Sequence, residues 1–288
     1  MIVVYLKGGM GNQMFQYASA RGIKEGEIFL FLKHFKNKMD TDSFTYRPYE
    51  LGVFKNLKIL NNSKVTSLIL YPLISFIIFI RKIKYKFFYK ESKKEDQIIK
   101  VPIFNFQIML GYFIGEKYFK HLKKELSAEF SFPELEKDLM AQKIIETEAP
   151  ICIHVRRGDF LKEKISKVHQ VLSAEYYKNA IKIINDKVSS PEYFVFSDDP
   201  EYCEKLFSVE QGKFNIVKNN KGDESWKDMY LMSLCKHHII ANSSFSWWGA
   251  WLSKNENQIV IAPENWLHGE RNTSFSEKMV PESWIKIP

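Results

Sequence analysis

Ile151-Cys152-Ile153-His154-Val155-Arg156-Arg157-Gly158-Asp159 runs from a short apolar strand straight into two arginines, a glycine and an aspartate. From here the chain alternates. Strands are expected at 151–155, 193–197, 214–217, 238–241 and 259–261, with helices at 173–187, 200–207, 225–235 and 244–252. Alternation of this kind predicts an α/β fold built on a parallel, doubly wound sheet. Ligands of such sheets bind beyond the carboxyl ends of the strands. The residues that follow each strand therefore carry the candidate chemistry.

Working outward, Ile2 to Leu6 is a buried-strand pattern, followed by the turn Lys7-Gly8-Gly9-Met10-Gly11-Asn12-Gln13. Met14, Phe15, Tyr17 and Ala18 then read as a helix and 28–32 as a second strand, so the N-terminus opens as β-loop-α-β. Residues 66–80 are almost wholly apolar, too short for a spanning helix of about 20 residues. Arg81, Lys82, Lys84, Lys86 and Lys90 follow, mixed with aromatics. Segment 64–90 reads either as a core helix leading into a solvated basic one, or as a segment that docks on an anionic membrane. Residues 91–100 read as a polar surface loop, and 111–130 as a loop entering an amphipathic helix. Polar composition around 146–150 sets a boundary between a domain at 1–149 and a second at 150–288.

The 288 residues carry 42 Lys and Arg against 34 Asp and Glu, a formal charge of +8 that suits an anionic partner without choosing one. Three cysteines (Cys152, Cys203, Cys235) form no disulfide framework, and no Cys/His group has metal-ligand spacing. No basic-then-apolar leader precedes the first strand, so a cytoplasmic setting is expected.

Arg156 and Arg157 at a strand end offer planar forks to a diphosphate; the plain alternative is an ion-paired loop in which Asp159 answers one arginine. His154 alone suits a core position. Ser197-Asp198-Asp199-Pro200 follows the next strand and either caps a helix or presents a carboxylate to a sugar or base hydroxyl. Asn242-Ser243-Ser244-Phe245 opens a helix whose N–H groups suit an anion; Asn242 or Ser243 would also cap it, with Trp247 and Trp248 in the core. Asp228 is either a buried helix acid or a partner for guanine N–H donors. Gly9 and Gly11 let a ligand approach the backbone, but the turn is no P-loop and lacks the third glycine of a dinucleotide fingerprint.

Taken together, Gly8 to Ala18, His154 to Asp159, Phe196 to Asp199 and Asn242 to Leu252 resemble the family 11 glycosyltransferases, the α-1,2-fucosyltransferases in their bacterial form. The resemblance runs from Met1 to about Trp266 and implies a GT-B fold of two Rossmann-like domains facing across a cleft. It implies GDP-β-L-fucose as donor on the C-terminal domain, no cofactor and no metal. The acceptor would be a galactose-terminated glycan on the N-terminal domain, glycosylated at its 2-hydroxyl with inversion, in surface polysaccharide (O-antigen) synthesis. By motif match, Arg156 contacts the diphosphate. Arg157 stands second, ordering the loop through Asp159, and Ser243 and Ser244 hold the β-phosphate. His154 and Asp228 read or position guanine. Asn12, with Gly9, Gly11 and Gln13, approaches the leaving group or acceptor from the other domain. Asp159 and Asp198 both stand as carboxylates able to take the acceptor proton. Two positions depart from the family pattern: Phe160 in place of Tyr, and Phe113-Ile114-Gly115 in place of Trp-Gln-Ser, which bears on acceptor identity if that strip lines the acceptor pocket.

Rival readings are a transferase of another GDP-sugar, a protein O-fucosyltransferase, a basic nucleic-acid binder and an inactive sugar-nucleotide binder. The main basic-aromatic cluster lies beside an apolar run, which favours lipid over nucleic acid. A lipid-linked acceptor at the inner face of the membrane would give such docking a purpose.

Overall fold

The computed structural model describes residues 1–23, 25–36, 45–60, 64–88, 96–135, 137–218, 220, 222–269 and 271–288. In the first half, β1 (Ile2–Tyr5), α1 (Met10–Ile23), β2 (Ile28–Phe31), α2 (Lys64–Phe88), β3 (Gln97–Val101) and β4 (Phe106–Leu110) follow in order. The sheet runs β2-β1-β4-β3. β1 is parallel to both neighbours, with Ile2 opposite Ile28 and Gln107, while β3 is an antiparallel edge that pairs Ile99 with Ile108. β1 and β2 are apolar at every position because both faces are covered. Ile2, Val4, Ile28 and Leu30 point to the α1 side, and Val3, Phe29, Phe31 and Ile108 point to Ile74 and Ile78 of α2. The 91–100 loop reading is corrected in part: 97–101 is β3, its alternation hidden by polar Gln97 and Lys100 on an edge, and 91–95 lie outside the described residues.

Two helices bridge the halves: α3 (Lys123–Glu129) and α4 (Leu139–Glu146), the latter capped by Asp138, whose carboxylate accepts from the Met140 and Ala141 N–H groups. The second half holds β5 (Pro150–Val155), α5 (Glu163–Ser166), α6 (Ala174–Lys187), β6 (Glu192–Ser197), α7 (Pro200–Phe207) and β7 (Lys213–Ile216). It continues with α8 (Trp226–Leu234), β8 (His237–Ile239), α9 (Ser244–Trp251), β9 (Val260–Pro263), α10 (Arg271–Met279) and β10 (Ile285–Ile287). The expected alternation is present to within a few residues at each boundary; α5, α10 and β10 were not anticipated.

This second sheet runs β10-β9-β8-β5-β6-β7, and every pair in it is parallel. Counted from β5, that is the dinucleotide-fold order, with the first strand in the middle and the chain winding away on both sides. β5 and β8 are therefore the neighbours between which the winding reverses, and a crevice opens beyond their carboxyl ends. With the first sheet facing it across α1 and α9, the architecture is the GT-B arrangement of two α/β halves.

One hydrophobic core runs through both halves. Phe15 of α1 lies 4.5 Å from Trp247 and 5.1 Å from Trp248 of α9 (ring centroids), and Phe119 stacks on Trp248 at 5.4 Å. Trp248 Nε1 donates to the Gly11 carbonyl at 2.9 Å. Gly11 itself has no room for a side chain: a Cβ there would lie 2.5 Å from the Ser244 carbonyl carbon and oxygen. The glycine is what allows α1 to start against the start of α9.

Candidate active site

The loop after β5 is an ion-paired cradle. Arg156 donates from Nη2 to Asp159 Oδ1 at 2.5 Å, and its Nη1 lies 2.7 Å from Asp198 Oδ2. The backbone N–H groups of Arg157 and Gly158 both donate to Asp198 Oδ1, at 2.9 and 3.1 Å. A Cβ on Gly158 would sit 2.5 Å from Asp198 Oδ2, so a side chain there would push that carboxylate aside. Arg157 does not order the loop through Asp159, contrary to expectation. Its guanidinium donates from Nε to Asp199 Oδ2 at 3.0 Å and lies 3.7 Å over the Tyr202 ring. Asp199 also caps α7 through the Tyr202 N–H, and Ser197 Oγ accepts from the Asp199 N–H, so Ser197 shapes this turn. Consecutive arginines thus differ in setting: Arg157 is held to the β6–α7 turn and Arg156 to Asp159 and Asp198, and each keeps N–H donors that these bonds do not use.

Asp159 receives a second guanidinium, from Arg47 Nη2 at 2.8 Å. Burial alone would raise its pKa, but Arg156 and Arg47 outweigh burial and hold it below the usual carboxylate range. His154, at the end of β5, is buried, and its Nδ1 has no hydrogen-bond partner among the described residues. Burial, then the charge of Arg156, push its pKa down to about 3 against the opposing pull of Asp198. It is a neutral imidazole at pH 7. Its ring lies 6.1 Å from that of Phe245.

On the β8 side of the crevice, Ser243 Oγ accepts from the Phe245 N–H at 3.3 Å and caps α9. Buried Asn242 donates to the Gln170 and Trp266 carbonyls at 2.8 and 3.0 Å, and its Oδ1 has no partner among the described residues. Capping and core burial of Trp247 and Trp248, the plain readings, are both present. Ser244 touches Gly11, so the loop after β8 and the N-terminal glycine turn meet.

The glycine turn is braced from within. Buried Gln13 donates to the Gly8 and Pro48 carbonyls at 2.8 and 2.7 Å and accepts from the Glu50 N–H at 3.0 Å, which commits its amide to holding two backbone segments. Asn12 Nδ2 lies near Gly8, whose φ is +81° and beside which stands Tyr112. Gly9 faces the Arg47 side chain.

The sequence reading missed the strap 45–50. Lys162 Nζ donates to Thr45 Oγ1 at 3.2 Å, Arg47 holds Asp159, Pro48 receives Gln13, and Ser225 Oγ donates to Glu50 Oε1 at 3.4 Å. The strap therefore crosses from the β5 loop to the start of α8. Its only local signal is Arg47-Pro48 between aromatics, which no spacing rule selects. Burial raises the pKa of Glu50, with Arg47 opposing.

Asp228 is not gathered into the arginine cradle; its Oδ1 accepts from Asn220 Nδ2 at 2.7 Å, and burial raises its pKa to about 6. The strip Phe113-Ile114-Gly115 packs inward. Phe113 is buried, its carbonyl accepts from Ser19, and a Cβ on Gly115 would meet the Lys278 carbonyl at 2.4 Å. Phe160 is also buried, stacked 4.7 Å from His169 with Arg156 5.6 Å from its centroid.

An ion-paired arginine loop and a capped helix start flank the switch point of a dinucleotide-type sheet, where ligands of such folds bind. The chain belongs to glycosyl transferase family 11, whose family model matches residues 1–288. It is a glycosyltransferase. An α-1,2-colitosyltransferase of Escherichia coli is 32% identical, across 100% of this chain and 99% of that one. The O-antigen biosynthesis glycosyltransferase WbnK of Escherichia coli is 34% identical, across 98% and 99%. Among solved structures, NodZ α-1,6-fucosyltransferase soaked with GDP-fucose covers 88% of this chain and 92% of its own, at 15% identity and a TM-score of 0.49.

Proposed function

We propose that this glycosyltransferase moves L-fucose from GDP-β-L-fucose to the 2-hydroxyl of a terminal galactose, inverting the anomeric carbon, in the assembly of a bacterial surface polysaccharide. The observation that carries the reading is Arg156, set at the mouth of the β5/β8 crevice between Asp159 and Asp198. As the bond from sugar to phosphate breaks, negative charge grows on the departing GDP, and a preorganised guanidinium there stabilises it without a metal or cofactor. The N-terminus of α9, opened by Ser243 and Ser244, adds N–H dipoles. Neutral His154 and Asp228 would position guanine, the carboxylate accepting from its two N–H donors. Asn12, Gly9 and Gly11 bring the other half of the chain to the reacting centre.

Asp159 and Asp198 are both spent on Arg156, and the depressed pKa of Asp159 makes it a weak proton acceptor. The reaction then runs through a loose, oxocarbenium-like state in which the acceptor hydroxyl loses its proton late. The acceptor is a galactose-terminated glycan, carried on lipid at the inner face of the cell membrane, which places the enzyme in the cytoplasm with peripheral membrane contact.

The 32% identical relative supports a second donor reading, a colitosyl group. Colitose lacks the 3-hydroxyl of fucose, so the two donors differ by one polar contact. Parallel turnover of the two GDP-sugars on a galactoside, with the product linkage read by NMR, separates them. A 2-linked fucosyl product supports the proposal; turnover with the colitosyl donor alone replaces it.

A further inference from the structure

α2 presents two apolar faces, and among the described residues only one of them is covered. Ile74 and Ile78 are buried against Val3, Phe29, Phe31 and Ile108 of the first sheet. On the opposite side Leu68, Ile69, Phe76, Phe79 and Ile80 stand exposed, at 75, 65, 62, 58 and 39%. With exposed Pro72 they recur at three- and four-residue intervals and form one continuous outward stripe. Single exposed apolar residues are ordinary on a protein surface; a stripe along three turns of one helix is not.

Among the described residues, two lysines stand beside the helix. Lys33 Nζ donates to Ser75 Oγ at 3.2 Å, and Lys36 Nζ lies 5.3 Å from the Tyr71 ring centroid, so both lysines flank the helix. α2 contains no Asp or Glu, and its sequence closes with Arg81, Lys82, Lys84 and Lys86. Among the described residues no helix is long and apolar enough to cross a membrane. An apolar stripe bordered by lysines on such a helix matches a surface of acyl chains beneath anionic headgroups. A second copy of the chain fits less well, because a two-fold contact centred on the stripe would bring Lys33 and Lys36 of both copies together with no acid on α2 to answer them.

We infer that the outer face of α2 seats the protein on an anionic lipid bilayer, with Phe76 and Phe79 entering the acyl boundary and Lys33 and Lys36 meeting headgroup phosphates. The helix lies in the plane of the surface, anchored to the enzyme through Ile74 and Ile78. This surface does not depend on which sugar is transferred: vesicle binding reads the surface, and turnover on a soluble acceptor reads the enzyme.

The test sediments the full chain with vesicles of phosphatidylcholine alone or mixed with phosphatidylglycerol, at low and high salt. The wild-type chain is expected to pellet with the mixed vesicles at low salt, and to stay in solution with the neutral ones or at high salt. A Phe76→Ser/Phe79→Ser chain, with folding checked by circular dichroism, is expected to lose at least about tenfold in partitioning. Lys33→Gln/Lys36→Gln, which leaves the apolar stripe intact, is expected to weaken binding and flatten its salt dependence. Wild type that ignores mixed vesicles, or folded variants that bind as it does, would overturn the inference. So would a wild-type dimer, seen by light scattering without lipid, that Phe76→Ser/Phe79→Ser converts to monomer.

Discussion

Arg47 and Asp159, 112 positions apart in the chain, meet at 2.8 Å across the crevice, and the same carboxylate holds Arg156 at 2.5 Å. One aspartate thus ties the N-terminal half to the residue proposed to stabilise the leaving group. Arg47 is 36% exposed at its side chain, so the pair adds little stability, within about 1 kcal/mol. Its consequence is positional. Arg47→Ala is expected to leave the melting temperature nearly unchanged while lowering kcat/KM about tenfold, as a modest misplacement of a charged group does. Steady-state kinetics beside a thermal melt checks this; loss of stability without loss of turnover contradicts it.

Arg156 and Arg157 should separate cleanly. Arg156→Ala removes the guanidinium at the crevice and is expected to lower kcat by at least about 100-fold, the effect of losing one preorganised charge-stabilising donor. Arg157, committed to Asp199 and Tyr202, acts on the turn. Arg157→Ala is expected to cost about 1 kcal/mol of stability and under about tenfold in kcat. Single-turnover rates with denaturation midpoints distinguish the two, and equal kinetic losses would deny the division of labour.

Gly11 allows no Cβ. The added carbon of Gly11→Ala would lie 2.5 Å from backbone atoms of Ser244, so α1 or α9 must move. The expected cost is about 1–3 kcal/mol, the range for overpacking a tight core, together with loss of turnover because the glycine turn shifts off the crevice. Denaturant unfolding measures the first and transfer assays the second. A stable, fully active Gly11→Ala chain would mean that this contact is loose.

Acid should destabilise the fold through its buried histidines. His154 has a folded pKa near 3, and His238, lowered mainly by burial, one near 4, whereas the unfolded chain takes up these protons near about 6.5. Between those values the unfolded state binds protons that the folded state does not. Stability from this source is complete above about pH 6.5 and falls as pH drops toward the folded values, by at most about 1.4 kcal/mol per pH unit for each histidine. Urea midpoints at pH 7 and pH 5 are expected to differ, and His238→Gln to narrow that difference. A flat profile in the wild-type chain would contradict the neutral, buried assignment.

Much of the second half was legible because a parallel sheet is covered on both faces, which turns each strand into a short apolar run between amphipathic helices. That pattern located β5, β6 and β8, and the rule that ligands bind beyond the carboxyl ends of strands then pointed to Arg156, Asp198 and Ser243. The strap 45–50 was not legible, because Arg47 reaches Asp159 only through tertiary folding and no local spacing encodes the contact. The edge strand β3 stayed hidden behind its polar positions. Gln13 looked like a ligand contact by motif, and its amide is engaged with backbone partners; of Arg157, Nε is engaged with Asp199. The strip 113–115 bore on acceptor identity only if it lined the acceptor pocket, and Phe113 is a core side chain; Tyr112, beside Gly8 and 4.2 Å from Lys7 Nζ, faces the glycine turn.

The most direct measurement is GDP release from GDP-fucose in EDTA, with and without a galactose-terminated disaccharide, for the wild-type chain and Arg156→Ala. The proposal predicts acceptor-dependent release by the wild-type chain in EDTA, and at least about 100-fold less by the variant. Tight GDP binding with no acceptor-dependent release, or release that Arg156→Ala leaves intact, would contradict fucosyl transfer driven by this cradle.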